Sequence, residues 1–373
     1  MAERIFLYGT LRYLPLLETV LGRAADAVPA RLRDHRAMAV RSETYPAIRP
    51  APGAVAEGIL LTPSEEDLAR LNFYEGAYHY DLRALSVETA DGAVTAEVYF
   101  PTDAQPPPDG PWDYEGWAAV HGPATRIAAE EVMGLYGTRS EEEVRGVYPT
   151  ILLRAWSELR ARGEVPPAQV RRGIGAGEVE VLSRRMPHLG YFGVSDTVLR
   201  HPVAGGGLGP EIRREGFLMG DAVTVLPYDP VRDVVLVIDQ FRFGPFLRGD
   251  PRPWSLEPVA GRVDPGETPE ETARREAREE AGLEIGALHL IGKYYPSPAA
   301  VTEWLVSYVG IADLPPGAAK IGGLDSEAED IQGHIVPLDE MDALAESGEV
   351  GTGPLLLSVH WLMRHRARLR SLA

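Results

Sequence analysis

The sequence is organised around residues 261–283, which read GRVDPGETPEETARREAREEAGL. Thr268 and Glu271 stand at capping-box spacing with Pro269 between them, a pattern typical of the start of an α-helix. Gly282 is typical of the residue at which such a helix ends. The stretch therefore predicts a helix that begins near residue 269 and ends before Gly282.

Three glutamates fall on one face of this predicted helix. Glu276 and Glu280 are four residues apart, and Glu279 lies one turn from Glu276. Carboxylates this close repel one another unless a cation compensates them, and clustered oxygen ligands suit Mg²⁺ or Mn²⁺, whose coordination substrate phosphates usually complete. A solvated acidic helix face is the alternative. The flanking glycines, Arg275 and the regular spacing favour the metal site.

The spacing of this stretch resembles the Nudix box at every fixed position. Those positions are Gly261, Glu267, Arg275, Glu276, Glu279, Glu280, Gly282 and Leu283. Residues 254–260 run directly into the box, so that strand, loop and helix are contiguous, as an αβα Nudix sandwich requires. The resemblance implies a hydrolase domain with bound Mg²⁺ or Mn²⁺, which we expect to cover residues 178–373.

Further features are similar to the ADP-ribose pyrophosphatase branch of that family. They are a Gln-Phe-Arg strand end at residues 240–242, Pro298 about sixteen residues beyond the box, and an acidic loop at residues 325–330. The sequence departs from relatives at residues 297–300, where they usually have glycines, and at Trp304, where they usually have Arg. Both departures bear on the ribose side of the pocket.

This resemblance implies a set of metal ligands and a general base. The metal ligands are the Ala260 carbonyl, Glu276, Glu280 and Glu329, with Glu279 assisting, and Arg275 orients the helix carboxylates. Glu327 in the acidic loop is the expected base, supported by Glu329, once that loop closes over the site. Glu279 on the helix is the alternative base.

The substrate side of the pocket is expected to include Arg242, Glu303 and Pro298. Arg242 is the natural clamp for the pyrophosphate or the terminal ribose, because a guanidinium fork matches phosphate oxygens. A surface arginine at a strand end is the alternative. The isolated histidines, such as His289, stand at no ligand spacing and are read as structural.

The first hundred residues predict a separate β-rich domain. A short apolar run ends at Gly9-Thr10, and two alternating segments at 85–89 and 94–98 flank Asp91-Gly92, which indicates a hairpin. The motif of Tyr8, Gly9, Thr10 and Leu11, together with a Tyr-Glu-Gly turn at 74–76, resembles the gamma-glutamylcyclotransferase-like family. This resemblance implies a small β-barrel with helices.

In that family, the backbone amides of the Tyr8–Leu11 loop grip the substrate carboxylate, and Glu75 is by position the general base. A carboxylate among aromatic side chains is expected to have a raised pKa. A plain strand end and a loop charge are the alternatives. The domain is thus expected to be either a γ-glutamyl enzyme or a binding module.

The chain is expected to be an α+β protein of two domains with a connector. Residues 1–105 form the cyclotransferase-like domain, 106–175 a linker with a helical connector, and 178–373 the Nudix domain. The proline-rich run at 105–111 is expected to be stiff and unable to enter a sheet. Helical patterns follow at 116–136 and 140–162, the second opened by a capping box of Ser140 and Glu143.

Composition excludes several classes of protein and site. The chain has 373 residues, a net charge of −18 and no cysteine. The negative charge, with no basic patch, argues against a nucleic-acid partner. The absence of cysteine excludes disulfides, thiolate nucleophiles and zinc–thiolate sites. There is no signal-peptide layout and no run of about 18 apolar residues, so we expect no membrane partner and a soluble cytoplasmic protein.

The sequence therefore favours hydrolysis of ADP-ribose to AMP and ribose 5-phosphate, a small nucleoside diphosphate substrate. Another nucleoside diphosphate sugar, a dinucleotide, or an ADP-ribose sensor without turnover are the alternatives. The family resemblance implies a homodimer paired through residues 178–215, and the two-domain arrangement resembles proteins associated with bacterial tellurite resistance.

Overall fold

The structure, a computed structural model, describes residues 4–76, 80–102, 107–165, 167–319, 321–322 and 330–372. The chain divides into two compact units, Met1–Pro166 and Pro167–Ala373. Among the described residues, no helix is both long enough and apolar enough to span a membrane.

The first unit combines strands with helices that follow and interrupt them. Its strands are β1 (Ile5–Leu7), β2 (Ala27–Val40), β3 (Pro46–Leu61), β4 (Tyr80–Thr89), β5 (Gly92–Pro101) and β6 (Pro108–Pro111). Its helices are α1 (Leu14–Leu21), α2 (Glu65–Glu75), α3 (Tyr114–Val120), α4 (Gly122–Met133) and α5 (Glu141–Gly163).

Five of these strands close into a barrel. The strand order is β3-β1-β5-β4-β2, and β2 pairs again with β3 to complete the circle. The β1–β5 ladder is parallel and the others are antiparallel. Phe6, Ile48 and Val98 are fully buried in this unit. The predicted β-barrel with helices is confirmed, as is the hairpin, whose turn places Gly92 at a φ of 119°.

The proline-rich segment enters the sheet, and the expectation that it could not was wrong for Pro108–Pro111. These residues form β6, which pairs with β2 as an edge strand. The Arg41 N–H donates to the Pro107 carbonyl at 3.1 Å, and the Trp112 N–H donates to the Ala37 carbonyl at 3.1 Å. Proline is tolerated at an edge because its missing N–H need not face the ladder.

The helices that were expected to form a connector belong to the first compact unit, which extends to Pro166. The pattern at 116–136 is two helices, because the chain breaks at His121 between α3 and α4. The predicted capping box is present, since Ser140 and Glu143 each accept a hydrogen bond from the other's N–H. Helix α4 packs on both α5 and α1.

In its described residues, the second unit contains two sheets and four α-helices. Its strands are β7 (Glu180–Leu189), β8 (Gly193–Arg200), β9 (Ile212–Leu218), β10 (Ala222–Asp229), β11 (Val234–Phe241), β12 (Trp254–Glu257), β13 (Val259–Arg262), β14 (Leu288–Tyr294), β15 (Leu305–Ile311), β16 (Ile321–Gly322) and β17 (Ile331–Pro337). Its helices are α6 (Phe243–Arg248), α7 (Pro269–Ala281), α8 (Leu338–Ser347) and α9 (Gly353–Arg370).

The larger sheet of this unit lies between two helical layers. Its order is β14-β15-β10-β11-β17-β16, with β12 paired to β11 and β13 to β10. Val223, Leu236 and Ile238 pack with α7 on one face. Leu226 and Val237 pack with α8 and α9 on the other face. The side chains of each strand alternate between the two cores, so the predicted αβα sandwich is confirmed.

Strands β7, β8 and β9 form a separate antiparallel sheet that includes most of the segment expected to pair two subunits. Strand β7 is exposed along nearly its whole length. Asp196 on β8 is buried and receives hydrogen bonds at 2.6 Å from Arg185 and Arg213 on the flanking strands. These ion pairs fix the register of the three strands.

Candidate active site

The predicted box helix is α7, and its caps are those the sequence indicates. The Glu271 N–H donates to Thr268 Oγ1 at 3.3 Å, and the Thr268 N–H donates to Glu271 Oε2 at 2.9 Å. Gly282 ends the helix at a φ of 64°, a left-handed conformation that favours glycine. Local sequence therefore sets both ends of α7 and the direction in which its carboxylates project.

Arg275 is the centre of a carboxylate cluster on this helix. Its Nε and Nη2 atoms donate to the two oxygens of Glu267, each at 3.0 Å. Its Nη1 atom donates to Glu276 at 2.8 Å and to Glu279 at 3.0 Å. Asp264 lies 3.6 Å away. One guanidinium thus holds carboxylates from the loop and from the helix, which is the orienting contact expected of Arg275.

The helix is seated directly against strand β13. The Ala260 N–H donates to the buried Glu280 carboxylate at 3.0 Å. A Cβ atom placed on Gly261 would lie 1.8 Å from Glu276 Oε1 and 2.0 Å from its Cδ. Glu276 therefore occupies space that exists only because residue 261 is glycine. The structure brings together Ala260, Glu276 and Glu280, three of the predicted metal ligands.

The electrostatics of the cluster reflect an excess of negative charge. Burial raises the pKa of Glu276 to about 7; Arg275 opposes this shift, and the charges of Glu279 and Asp264 add to it. Burial likewise raises the pKa of Asp264. The pKa of Glu267 is lowered, chiefly by its hydrogen bonds from Arg275. One guanidinium does not neutralise the cluster.

The donor chemistry of the cluster fits a hard divalent cation. In the part of the chain that the structure describes, no three His, Cys, Asp or Glu side chains are arranged as a metal site. Glu276 and Glu279 accept hydrogen bonds from Arg275, and Glu280 accepts one from the Ala260 N–H. Three observations support binding of such a cation. The donor atoms are all oxygens, Gly261 approaches Glu276 closely, and the negative charge of the carboxylates exceeds the positive charge of Arg275.

Arg242, the predicted phosphate clamp, is paired with Glu257. Its Nε donates to both carboxylate oxygens, at 3.0 and 3.1 Å, and its Nη2 donates to Oε2 at 2.6 Å. Burial raises the pKa of Glu303, and the positive charges of Arg262 and Arg242 oppose that shift. Arg242, Glu303 and Arg262 are therefore within electrostatic range of one another, while Pro298 lies exposed in the segment before Glu303.

Several residues at this end of the sheet were not predicted. The Arg262 guanidinium lies 4.1 Å from the centre of the Tyr191 ring, a cation–π contact. Gln240 is buried and its Nε2 atom has no hydrogen-bond partner. Gln240 was named from the sequence as part of the Gln-Phe-Arg strand end but was given no role, and Arg262 follows Gly261 in the box, so both could have been indicated. Tyr191 lies 71 residues before Arg262 and gives no such signal.

The predicted base Glu327 and its support Glu329 lie outside the described residues. Glu279, the alternative base, lies on α7 with a side chain that is 34% exposed. Its Oε2 atom accepts a hydrogen bond from Arg275 at 3.0 Å. The choice between the two bases stays a prediction.

A second candidate site lies in the first unit, around Glu75. Glu75 is the last residue of α2, not a residue of a turn as expected, and Gly76 caps the helix. Burial raises its pKa to about 7, as expected for a carboxylate among aromatic side chains. Its charge acts on a group of tyrosine hydroxyls whose pKa is raised mainly by burial, namely Tyr8, Tyr45 and Tyr99.

The Tyr8–Leu11 motif is linked to Glu75 through Tyr8, whose hydroxyl lies within range of the Glu75 charge. Strand β1 ends at Leu7, and a 3-10 turn covers Thr10–Arg12. A Cβ atom on Gly9 would lie 3.3 Å from Cγ of Pro46, so the loop lies against the start of β3. The Tyr80 hydroxyl donates to the Pro46 carbonyl at 2.9 Å. The structure brings the motif and Tyr80 to the same edge of the barrel.

Comparisons with known families agree with this division. The family model described as NUDIX domain matches residues 219–356. The family model described as gamma-glutamyl cyclotransferase, AIG2-like, matches residues 5–119. Both resemblances stated from the sequence are confirmed.

Curated relatives cover the second half of the chain. An ADP-ribose pyrophosphatase of Escherichia coli (strain K12) is 35% identical over 198 residues, 53% of this chain and 94% of the relative. One from Haemophilus influenzae is 31% identical over 195 residues, 52% of this chain and 89% of the relative. A GDP-mannose pyrophosphatase of Citrobacter koseri is 32% identical over 150 residues, 40% of this chain and 77% of the relative.

A solved structure described as an ADP compounds hydrolase also matches. It is 23% identical, has a TM-score of 0.40, and the match covers 50% of this chain and 96% of that chain. The two ADP-ribose pyrophosphatases are matched over 94% and 89% of their length at more than 30% identity, and the box residues are assembled on α7 and β13. The chain therefore belongs to the Nudix family, with a gamma-glutamyl cyclotransferase, AIG2-like domain before its Nudix domain.

Proposed function

We propose that the second unit hydrolyses the pyrophosphate of ADP-ribose to AMP and ribose 5-phosphate. The observation that carries the proposal is the cluster of Glu267, Glu276 and Glu279 around Arg275, with Glu280 fixed by the Ala260 amide. Such a cluster suits a bound cation rather than a bare acidic surface. The names of the relatives supply the substrate.

Mg²⁺ or Mn²⁺ is the proposed cofactor, and Glu276, Glu280 and the Ala260 carbonyl are its proposed ligands. Such a cation would neutralise the pyrophosphate and lower the pKa of an attacking water. Arg275 contributes by holding the loop and helix carboxylates in one orientation. Gly261 contributes by leaving room for Glu276.

Arg242 is the proposed pyrophosphate clamp. In the structure its guanidinium is paired with Glu257 and is 40% exposed. Glu257 fixes the orientation of the guanidinium through two donors, and a guanidinium held in a fixed orientation matches phosphate oxygens. Glu303 and Pro298 are proposed to border the ribose.

The test is release of AMP from ADP-ribose by the purified full-length protein with Mg²⁺, compared with GDP-mannose and a dinucleotide. ADP-ribose is expected to be the preferred substrate. Glu276→Gln is expected to lower turnover by several orders of magnitude, because transition-state charge is no longer neutralised. Glu284→Gln, a matched change at an exposed glutamate just beyond the helix, is expected to leave turnover unchanged.

Preference for GDP-mannose would favour the alternative, another nucleoside diphosphate sugar, which a GDP-mannose pyrophosphatase among the relatives supports. Tight binding of ADP-ribose with no turnover in Mg²⁺ or Mn²⁺ would favour the sensor. Turnover of Glu276→Gln within tenfold of wild type would refute the role of this cluster.

We also propose that the chain is a cytoplasmic homodimer paired through residues 178–215, where β7 is exposed. Light scattering at working concentration tests this, and a fully active monomer would refute it. The association with tellurite resistance stays a prediction from the resemblance.

For the first unit we propose a γ-glutamyl ligand, with Glu75 as the base that releases 5-oxoproline. The supporting observation is its half-buried carboxylate, whose pKa burial raises to about 7 and whose charge acts on the hydroxyl of Tyr8 in the Tyr8–Leu11 motif. Release of 5-oxoproline from a panel of γ-glutamyl compounds tests the activity. Binding without release would favour a binding module.

A further inference from the structure

Thr272 on helix α7 is a fully buried threonine whose hydroxyl contacts a carboxylate of the candidate active site. Its Oγ1 atom donates to Glu267 Oε2 at 2.8 Å. A hydroxyl buried away from water is unfavourable unless it finds a hydrogen-bond partner. The Thr272 hydroxyl is therefore part of the arrangement around Glu267.

Two other buried hydroxyls on helices show the ordinary alternative. Thr125 and Ser358 each donate to the carbonyl four residues earlier, at 2.9 and 2.8 Å. For Thr272 the corresponding carbonyl, that of Thr268, lies at 3.2 Å, farther away than Glu267. A hydroxyl has one hydrogen, and a hydrogen bond to a carboxylate is stronger than one to a neutral carbonyl. The hydroxyl hydrogen of Thr272 therefore belongs to Glu267.

Glu267 in turn takes one edge of the Arg275 guanidinium. The Nε atom of Arg275 donates to Glu267 Oε1 and its Nη2 atom to Oε2, each at 3.0 Å, a two-donor contact between a planar fork and a carboxylate. Oε2 thus accepts from both Arg275 and Thr272. Because Glu267 precedes α7, the Thr272 hydroxyl ties this loop carboxylate to the helix that carries Arg275.

The two-donor contact decides how Arg275 meets the carboxylates of the helix. Its Nη1 atom donates to one oxygen of each, Oε1 of Glu276 at 2.8 Å and Oε2 of Glu279 at 3.0 Å. A guanidinium released by Glu267 could turn its two-donor edge to either glutamate and occupy both of its oxygens. Glu267 therefore limits the competition between Arg275 and a cation for these carboxylates.

We propose that Thr272 is a positioning residue for the cation site of the second unit. Its hydroxyl holds Glu267 on Arg275, and the helix glutamates each keep one oxygen for a divalent cation. The proposal rests on the proposed function of this unit, in which the cluster binds Mg²⁺ or Mn²⁺. Thr272 is not itself a ligand, because its effect passes through Glu267 and Arg275. Loss of its hydroxyl is therefore expected to weaken binding of the cation while the fold persists.

The experiment measures binding of Mn²⁺ to the full-length protein without substrate, by electron paramagnetic resonance, in Thr272→Val and Thr272→Ser. Valine keeps the shape of threonine without the hydroxyl, and serine keeps the hydroxyl. Thr272→Val is expected to raise the dissociation constant of Mn²⁺ about 3–10-fold, the range of one hydrogen bond. Thr272→Ser is expected to stay within about twofold of wild type, because the hydrogen bond to Glu267 is retained.

Thr224→Val is the matched control in the same unit. Thr224 on β10 is also buried, and its hydroxyl donates to Ser307 Oγ at 2.7 Å. It alternates with Val223 and Val225, which pack with α7, so its side chain lies on the opposite face of the sheet. Thr224→Val is expected to lower the melting temperature, because a buried hydrogen bond is lost, and to bind Mn²⁺ as wild type does.

A double-mutant cycle tests whether Thr272 acts through Glu267. Glu267→Ala removes the partner of the hydroxyl, so in that background Thr272→Val is expected to change the dissociation constant of Mn²⁺ by less than about twofold. An equal effect of Thr272→Val in both backgrounds would overturn the proposal. So would a wild-type dissociation constant in Thr272→Val, and if that variant does not fold, the same outcome in Thr272→Ala decides.

Glu276→Gln, measured in the same assay, separates this inference from the proposed function. If Glu276→Gln binds Mn²⁺ as wild type does, the cluster is not the cation site, and the positioning role fails with the proposed function. If Glu276→Gln loses Mn²⁺ while Thr272→Val matches wild type, the cluster stands and only the positioning role is refuted.

Discussion

Replacement of Gly261 by alanine tests how closely helix α7 approaches β13. The new Cβ would lie 1.8 Å from Glu276 Oε1, 2.0 Å from Cδ and 2.7 Å from Cγ. Ordinary contact begins at 3.4 Å, so Oε1 must move by 3.4 − 1.8, or 1.6 Å. The atoms that must move are mostly the far end of one side chain, so the chain is expected to fold and the carboxylate to be displaced.

The expected result is a large loss of activity with a small loss of stability. A misplacement of about 1 Å in a catalytic arrangement can lower the rate about 10²-fold, equivalent to about 2.7 kcal/mol. Added volume in a packed region lowers the free energy of unfolding by about 1–3 kcal/mol, and we expect the low end. The assay is kcat/KM for ADP-ribose in Mg²⁺, with thermal unfolding of the same samples.

Gly292→Ala is the matched control. Gly292 lies on β14 of the same unit, and a Cβ there would have no atom within 4 Å. Its activity and melting temperature are expected to match wild type. Wild-type kcat/KM in Gly261→Ala, within about threefold, would refute the argument that Glu276 needs the space that glycine leaves. Loss of folding in Gly261→Ala alone would show that the contact is structural rather than catalytic.

The other predictions concern single carboxylates and one arginine. Burial raises the pKa of Glu75 from 4.5 to about 7, so the folded state holds a proton that the unfolded state loses, and stability falls as pH rises between these values. In urea denaturation above pH 7, the free energy of unfolding of Glu75→Gln is therefore expected to exceed that of wild type by up to about 3 kcal/mol. This difference is expected to vanish toward pH 4.5, and a difference independent of pH would contradict the argument. Glu327→Gln is expected to lower kcat by about 10²–10⁴-fold with less effect on KM, and the same loss in Glu279→Gln but not in Glu327→Gln would place the base on the helix. Arg242→Lys is expected to lower kcat/KM for ADP-ribose about tenfold or more, because lysine cannot make the two-donor contact; an unchanged kcat/KM would exclude Arg242 as the clamp.

The sequence alone determined the features that depend on neighbours along the chain. The caps of α7 follow from Thr268, Glu271 and Gly282, whose side chains or φ preferences act within one turn. The spacing of Glu276 and Glu280 places both on one helical face. The hairpin at Gly92 and the capping box at Ser140 are local in the same way. Family resemblance added the two domain folds.

Only the tertiary structure decided which distant residues meet. Gly261 faces Glu276 because β13 lies beside α7, and Tyr191 contacts Arg262, which is 71 residues later in the chain. Pro108–Pro111 entered the sheet because an edge position was open beside β2, which the proline content could not reveal.

Charged side chains show most clearly what the tertiary structure decides. Sequence gives Arg31, Arg36 and Arg49 the same chemistry, yet strand register pairs the first with a glutamate and the other two with each other. The amino-acid type does not distinguish Glu75 from the other glutamates, whereas burial in the folded chain raises its pKa to about 7. Register and burial arise from contacts between residues far apart in the chain, and the free energy of a charge depends on what surrounds it in space.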